Sequence, residues 1–243
     1  MESGFACQGC LVAIEEILHS NIDASILPQF YTVVEPILEY GFGHDGLDFM
    51  GEISSILNMF VFSLETLPEG LWSYFVITCH ALIGKKPNSH PNFPSYATPK
   101  IKEIFHNMPD DDYACEFFNE LTPVIRNFIN KGDPAILTLR GFYDESLLSL
   151  LMNTIIGILK KNLPEEYSET ESADALLLIG FVFAQLPGKI NDFIPQFLDI
   201  QMEALNTKMS LVVKDSFIHN VGYALWNNTT LTLEYLNNKG LLQ

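Results

Sequence analysis

The spacing of apolar residues constrains this chain more than any other feature. Along its whole length they recur at three- and four-residue intervals, in segments broken by short polar turns. That is the signature of amphipathic helices, and no convincing stretch alternates with the period of two that a strand requires. The spacing predicts helices over 5–20, 28–42, 46–65, 68–84, 100–107, 113–131, 144–161, 170–186, 189–205, 208–226 and 229–238. The boundaries suggest their own mechanisms. Thr66 with Glu69, and Ser168 with Glu171, have the spacing of a capping box. Asp133 before Pro134 fits an N-cap followed by proline in the first turn, where its missing N–H costs nothing. Lys160 and Lys161 close a helix at its negative end.

Several helices are apolar on more than one face. In 144–161, Leu147, Leu151, Ile155 and Ile158 form one stripe, and Leu148, Met152, Ile156 and Leu159 form another beside it. A helix in a simple bundle needs one stripe. Two adjacent stripes suit a helix that touches both its pair partner and the neighbouring pair. Helix pairs recur about every 40–45 residues, within the range of HEAT or armadillo repeats. The expected fold is therefore all-α: an α–α superhelix of about five helix pairs, a HEAT-type solenoid, with residues 1–243 as a single array. Pro36, Pro68, Pro123 and Pro195 fall within four of the expected helices and would kink them. Residues 85–99 (KKPNSHPNFPSYATP) interrupt the rhythm with four prolines and read as an exposed insertion between repeats.

Composition narrows the function classes. Nearly half of the chain is apolar (48%) and 18% is charged, enough for a substantial core. The formal charge is −17, and Arg126 and Arg140 are the only arginines. A phosphate-gripping nucleic-acid binder needs a basic face, and docking on an anionic membrane needs the same, so neither is expected. A basic protein partner suits this balance. Cys7, Cys10, Cys79 and Cys115 are too few for a disulfide scaffold and read as small buried residues of a reducing compartment. No basic leader precedes the first helix, and the apolar runs of about 14 residues fall short of the ~20 a membrane span needs. A soluble intracellular protein is expected, with no membrane insertion.

The motifs that resemble chemistry sites have simpler readings. GFGHDG (Gly41, Gly43, Gly46) matches G-x-G-x-x-G, but a helix precedes it where a nucleotide fingerprint needs a strand, so it reads as a turn between helices. Cys7 and Cys10 form C-x-x-C without the second ligand pair a structural zinc requires. The six histidines are scattered, and no nucleophile, metal or phosphate motif is present. No enzyme activity, cofactor or metal is expected. Two acidic clusters remain. Asp110, Asp111 and Asp112 precede a helix, where the dipole favours negative charge, or else form a loop for a basic partner. Glu165, Glu166, Glu169, Glu171 and Asp174 carry the same two readings. These eight residues are the candidate partner-binding positions. Trp72 and Trp226 are candidates for the core or for a groove that anchors a partner.

The order and character of consecutive segments resemble a known family. Residues 49–84 (FMGEISSILNMFVFSLETLPEGLWSYFVITCHALIG), 115–137 (CEFFNELTPVIRNFINKGDPAIL), 146–161 (SLLSLLMNTIIGILKK), 190–205 (INDFIPQFLDIQMEAL) and 223–236 (YALWNNTTLTLEYL) are similar to the C-terminal half of importin-beta-type nuclear transport receptors, in particular the importin-seven and importin-eight branch. The resemblance implies a right-handed HEAT superhelix and a portion of a longer receptor. It implies binding to protein cargo, such as ribosomal proteins or histones, and to nucleoporins. It also implies release by Ran-GTP in the full-length receptor, and shuttling between cytoplasm and nucleus through the nuclear pore. No Ran-contacting residue carries over onto this chain. A HEAT scaffold outside transport is the alternative reading, because scaffolds share much of this patterning.

Overall fold

The computed structural model describes residues 2–20, 22–86, 89–110, 114–131, 135–162, 169–205 and 211–241. Among the described residues the protein has twelve α-helices and three short 3-10 helices. The helices are α1 (Glu2–His19), α2 (Leu27–Gly41), α3 (Met50–Ser63), α4 (Leu71–Ile83), α5 (Pro99–Asn107), α6 (Phe118–Lys131), α7 (Ala135–Thr138), α8 (Leu147–Asn162), α9 (Glu169–Gln185), α10 (Ile194–Leu205), α11 (Leu211–Asn227) and α12 (Thr229–Asn238). α7 is a single turn. The all-α helical-repeat class expected from the periodicity is the class observed.

The chain divides into two compact units, Met1–Leu150 and Leu151–Gln243. In the first, α3 packs between α1 and α6, α2 lies on α3, and α4 lies on α6. In the second, α9 packs on α11 and α10 on α12. Each unit thus stacks alternate helices, as a repeat array does. The register of the stacking is visible in side-chain bonds. Gln8 of α1 donates to Glu52 of α3 across 44 residues. Asn220 and Asn227 of α11 donate to the carbonyls of Leu176 and Phe183 of α9, each again across 44 residues. A constant offset along both helices means that they run parallel, one repeat apart. Between α3 and α6 the offset widens: Asn127 donates to Asn58 across 69 residues, and Lys131 to the Leu64 carbonyl across 67. The proline-rich stretch and α5 occupy the extra length.

The elements form where the pattern placed them, with local differences. Three expected helices begin instead as 3-10 turns, at His44–Phe49, Cys115–Phe117 and Asn191–Phe193. The first is forced by close backbone approach. A Cβ on Gly46 would stand 2.5 Å from the Gly41 Cα and from the Tyr40 carbonyl oxygen, so GFGHDG is a tight turn between α2 and α3. The capping box at Thr66 and Glu69 does not form. Gly70 caps α4 without a side-chain bond, and the first amides of the helix are taken by the carbonyls of Pro68, Glu69 and Gly70. Ser168 and Asp133 lie outside the described residues. Thr98 caps α5 by accepting from the Ile101 amide, and Asn228 caps α12 by accepting from Leu231. Of the four expected internal prolines, Pro36 and Pro123 lie inside helices, whereas Pro195 sits in the first turn of α10 and Pro68 precedes α4.

Both stripes of α8 are buried, and α4 is buried all round from Leu71 to Leu82. Trp72 of α4 is a core residue against Phe75 and Phe128. The proline-rich stretch has exposed residues (Lys86, Ser89, His90, Asn92 and Ser95) and one anchored part. Tyr96 and Ala97 are buried, the Tyr96 hydroxyl donates to the Arg140 carbonyl, and the Asn92 amide donates to the Phe142 carbonyl at 2.6 Å.

Candidate partner-binding surfaces

The acidic candidates are divided between the two units. Asp110 follows α5, exposed, with its carboxylate 3.2 Å from Lys85 Nζ. Asp111 and Asp112 lie outside the described residues, as do Glu165 and Glu166. Glu169 opens α9, and Glu171 and Asp174 follow it, both half-buried. Asp110 belongs to the first unit and the α9 acids to the second. Glu171 lies in the first turn of α9, at the positive end of the helix dipole, which favours a carboxylate there.

The cysteine reading needs correction. Cys79 is buried, but Cys10 is exposed and Cys7 half-exposed on α1, because its packing against α3 leaves one flank open. None of the four is in a disulfide. Among the described residues no group of three or more histidine, cysteine, aspartate or glutamate side chains is placed to hold a metal ion.

Three features stand out, of which sequence reasoning had singled out Trp226 alone, as a core or groove candidate. The first is an apolar strip on α11. Leu211, Ile218 and Trp226 are exposed, Trp226 by 81%, and follow one helical face at seven- and eight-residue steps. Ala184 of α9 with His219, Gly222, Tyr223 and Trp226 lines an open hollow of about 500 Å³. The periodicity of 211, 218 and 226 was readable, but the same spacing serves a buried stripe equally well. Exposure is a property of the neighbours, which the segment itself does not encode.

The second is a hollow of about 240 Å³ between α2 and α5, lined by Glu39, Lys100 and Glu103 among others. Burial first of all raises the Glu39 carboxyl above its usual range, and the charges of Glu35 and Glu103 add to this. The hydroxyl of Thr98, donating at 3.2 Å, and Lys100 act against it.

The third is a buried polar pair within an aromatic shell. His80 of α4 is fully buried, with its Nε2 3.5 Å from the Glu145 carboxylate. Phe105, Phe142 and Tyr143 surround the imidazole. Burial alone would raise the Glu145 carboxyl. The interaction with His80, its own backbone amide and the charge of Lys86 outweigh that and hold it below the usual carboxylate range. At 3.5 Å the His80 contact is long for a hydrogen bond. Outside this shell, Lys85, Lys86 and Lys102 lie over Phe105, Tyr143 and Phe93.

Comparison with known proteins gives the family context. The chain is 25% identical over 241 residues to a protein of Arabidopsis thaliana described as "Importin beta-like SAD2 homolog", a match that covers 97% of this chain. This is an importin-beta-like relationship. It extends through both units, in keeping with the segment-by-segment resemblance seen in the sequence. The chain spans about a fifth (20%) of the length of that relative. No family model and no solved structure matches the chain. Among the described residues no helix is long and apolar enough to cross a membrane.

Proposed function

We propose that this chain is a non-enzymatic portion of an importin-type nuclear transport receptor. In this reading it forms a single array of HEAT-type repeats and binds protein cargo, nucleoporins or both during Ran-dependent import. It works in the cytoplasm and nucleus and at the nuclear pore. The observation that carries this reading is the importin-beta-like similarity over 97% of the chain. The 44-residue register between stacked parallel helices supports it, because such repeats create extended protein-binding surfaces. The net charge of −17 favours a basic cargo such as a ribosomal protein or a histone, since complementary fields speed encounter and select partners. The α9 acids Glu169, Glu171 and Asp174, together with Glu165 and Glu166, are the proposed contacts on this side. Asp110 is already engaged by Lys85, so in this reading it contributes with Asp111 and Asp112 only when that pair opens.

The test is capture from cell lysate on the immobilised chain at low salt, with and without excess Ran-GTP. Nucleoporins and basic proteins are expected, with basic cargo lost steeply as salt rises. Recovery of one enzyme subunit in place of these would replace transport with a scaffold role. Salt-insensitive cargo binding would remove the acidic-surface part of the proposal. Release by Ran-GTP would place a Ran contact in this portion; indifference to it would leave the chain a cargo- or pore-binding part.

A further inference from the structure

Cys7 and Cys10 form the C-x-x-C of α1, and neither is buried: Cys7 is half-exposed and Cys10 exposed. The helix explains the difference. Leu11 and Leu18 are the buried hydrophobic residues of α1, which packs on α3. Cys7 stands one turn before Leu11, at the edge of that contact. Cys10 lies about 60° round the helix from Cys7, on the open flank. The space beside the pair is uncovered as well. A Cβ on Gly9, between the two cysteines, would meet nothing from elsewhere in the chain within 4 Å. The other two cysteines are placed differently: Cys79 is buried, and the Cys115 Sγ donates to the Leu82 carbonyl at 3.3 Å.

The spacing decides what chemistry the pair can perform. Side chains three residues apart on a helix have Cβ atoms about 5–6 Å apart. A disulfide needs about 3.5–4.5 Å, so closing one here would distort α1. Two sulfurs bound to one metal ion at roughly 2.3 Å each stand up to about 4.6 Å apart, which the helical spacing accommodates without moving the backbone. The donor set then selects the ion. Structural zinc takes four ligands, and among the described residues no group of three histidine, cysteine, aspartate or glutamate side chains is assembled. Thiolate is a soft donor that favours copper(I), a cation satisfied by two sulfurs in line. We propose that Cys7 and Cys10 form a binding site for one copper(I) ion, held as a linear bis-thiolate on the open flank of α1. On binding, two S–H bonds release their protons to solvent and two Cu–S bonds form. Copper stays in its +1 state, so no oxidant or reductant is consumed. The net charge of −17 draws cations toward the surface. The site stands on α1 and is independent of the transport reading.

The test titrates the full, reduced chain with copper(I) under anaerobic conditions, in competition with bicinchoninate, a chromophoric copper(I) chelator. One tightly held equivalent per chain is expected, with thiolate-to-copper absorption in the ultraviolet and two sulfurs around the metal in X-ray absorption spectra. Cys7→Ser and Cys10→Ser should each weaken binding by more than the about 10–100-fold that losing a supporting group costs a metal site, since each removes half of the donors. Cys115→Ser should leave binding unchanged. Because ligation releases protons, binding should weaken as pH falls. An equal concentration of zinc(II) should not displace the copper. Neither Cys7 nor Cys10 is part of the core, and melting curves followed by circular dichroism establish that each variant is folded. Copper binding that survives both single variants would overturn the proposal, as would its loss in Cys115→Ser, displacement by zinc, or coordination by three or more sulfurs gathered from two chains.

Discussion

A histidine that is fully buried beside a carboxylate makes the first unit sensitive to acid at one identifiable place. Glu145 sits in the loop before α8 and faces His80 on α4, so the pair ties that loop to the central helix. Its carboxyl is held below the ordinary range. A group whose folded pKa is depressed stabilises the fold above its unfolded pKa, near ~4.3 for glutamate, and that contribution disappears as pH falls through the folded value. Glu145→Gln should therefore cost stability at neutral pH, about 1–3 kcal/mol for a buried group stripped of its charged partner. It should also flatten the fall in stability on acidification relative to the parent protein. Urea titrations of both proteins between neutral and acid pH measure the difference. Parallel stability curves across that window would show that Glu145 is not the group responsible. Phe105 and Phe142 pack against the His80 ring and keep it out of contact with solvent.

At the scale of elements, α9 and α11 are held in register by two asparagines seven residues apart. Asn220 donates to the Leu176 carbonyl, within the body of α9. Asn227 does more. It donates to the Phe183 carbonyl at 3.0 Å and accepts from the Gly188 amide at 3.0 Å. Phe183 lies in the last turn of α9, where carbonyls have no intrahelical donor, so a side chain of α11 caps the end of α9. Asn227→Ala should cost about 1–2 kcal/mol. It should speed hydrogen exchange at the Gly188 amide more than within α9. Asn227→Asp keeps the acceptor for Gly188 but loses the donor for Phe183, and should fall between the two. Equal exchange at Gly188 in parent and Ala variant would rule out the cap. Such ties explain what was and was not legible in the sequence. The helices themselves follow from apolar spacing, because each segment encodes its own buried face, as α8 does with its two stripes. Cross-helix partners are set by residues 44 positions away, and the capping expected at Thr66 failed because the preceding backbone supplied the carbonyl acceptors first. The proline-rich stretch shows the same limit: proline forbids a helix, but it does not reveal that Tyr96 and Ala97 are buried. The acidic candidates were chosen by charge alone, and charge did not reveal that Asp110 would face Lys85.

Charge dominates at the scale of the whole molecule. Thirty acids face thirteen lysines and arginines, so few carboxylates can be paired even if every base is used. The ion pairs of Lys85 with Asp110, Lys100 with Glu103 and Lys239 with Asp199 all involve an exposed carboxylate, and exposed pairs contribute little, about 0–1 kcal/mol each. Excess like charge raises the free energy of the compact state relative to the expanded one. Raising ionic strength shortens the Debye length from about 30 Å at 0.01 M to about 8 Å at 0.15 M, screening that repulsion while also weakening the few surface pairs. With repulsion in such excess, screening should stabilise the fold. At 243 residues, each kcal/mol gained raises Tm by about 2–4 °C. Thermal melts at neutral pH should therefore shift upward by a few degrees across that salt range, and sodium chloride and potassium chloride should act alike because the effect is one of ionic strength. A flat or falling Tm would mean that the acids are dispersed widely enough to be screened by water alone. The acidic excess would then be better attributed to partner selection than to any cost borne by the fold.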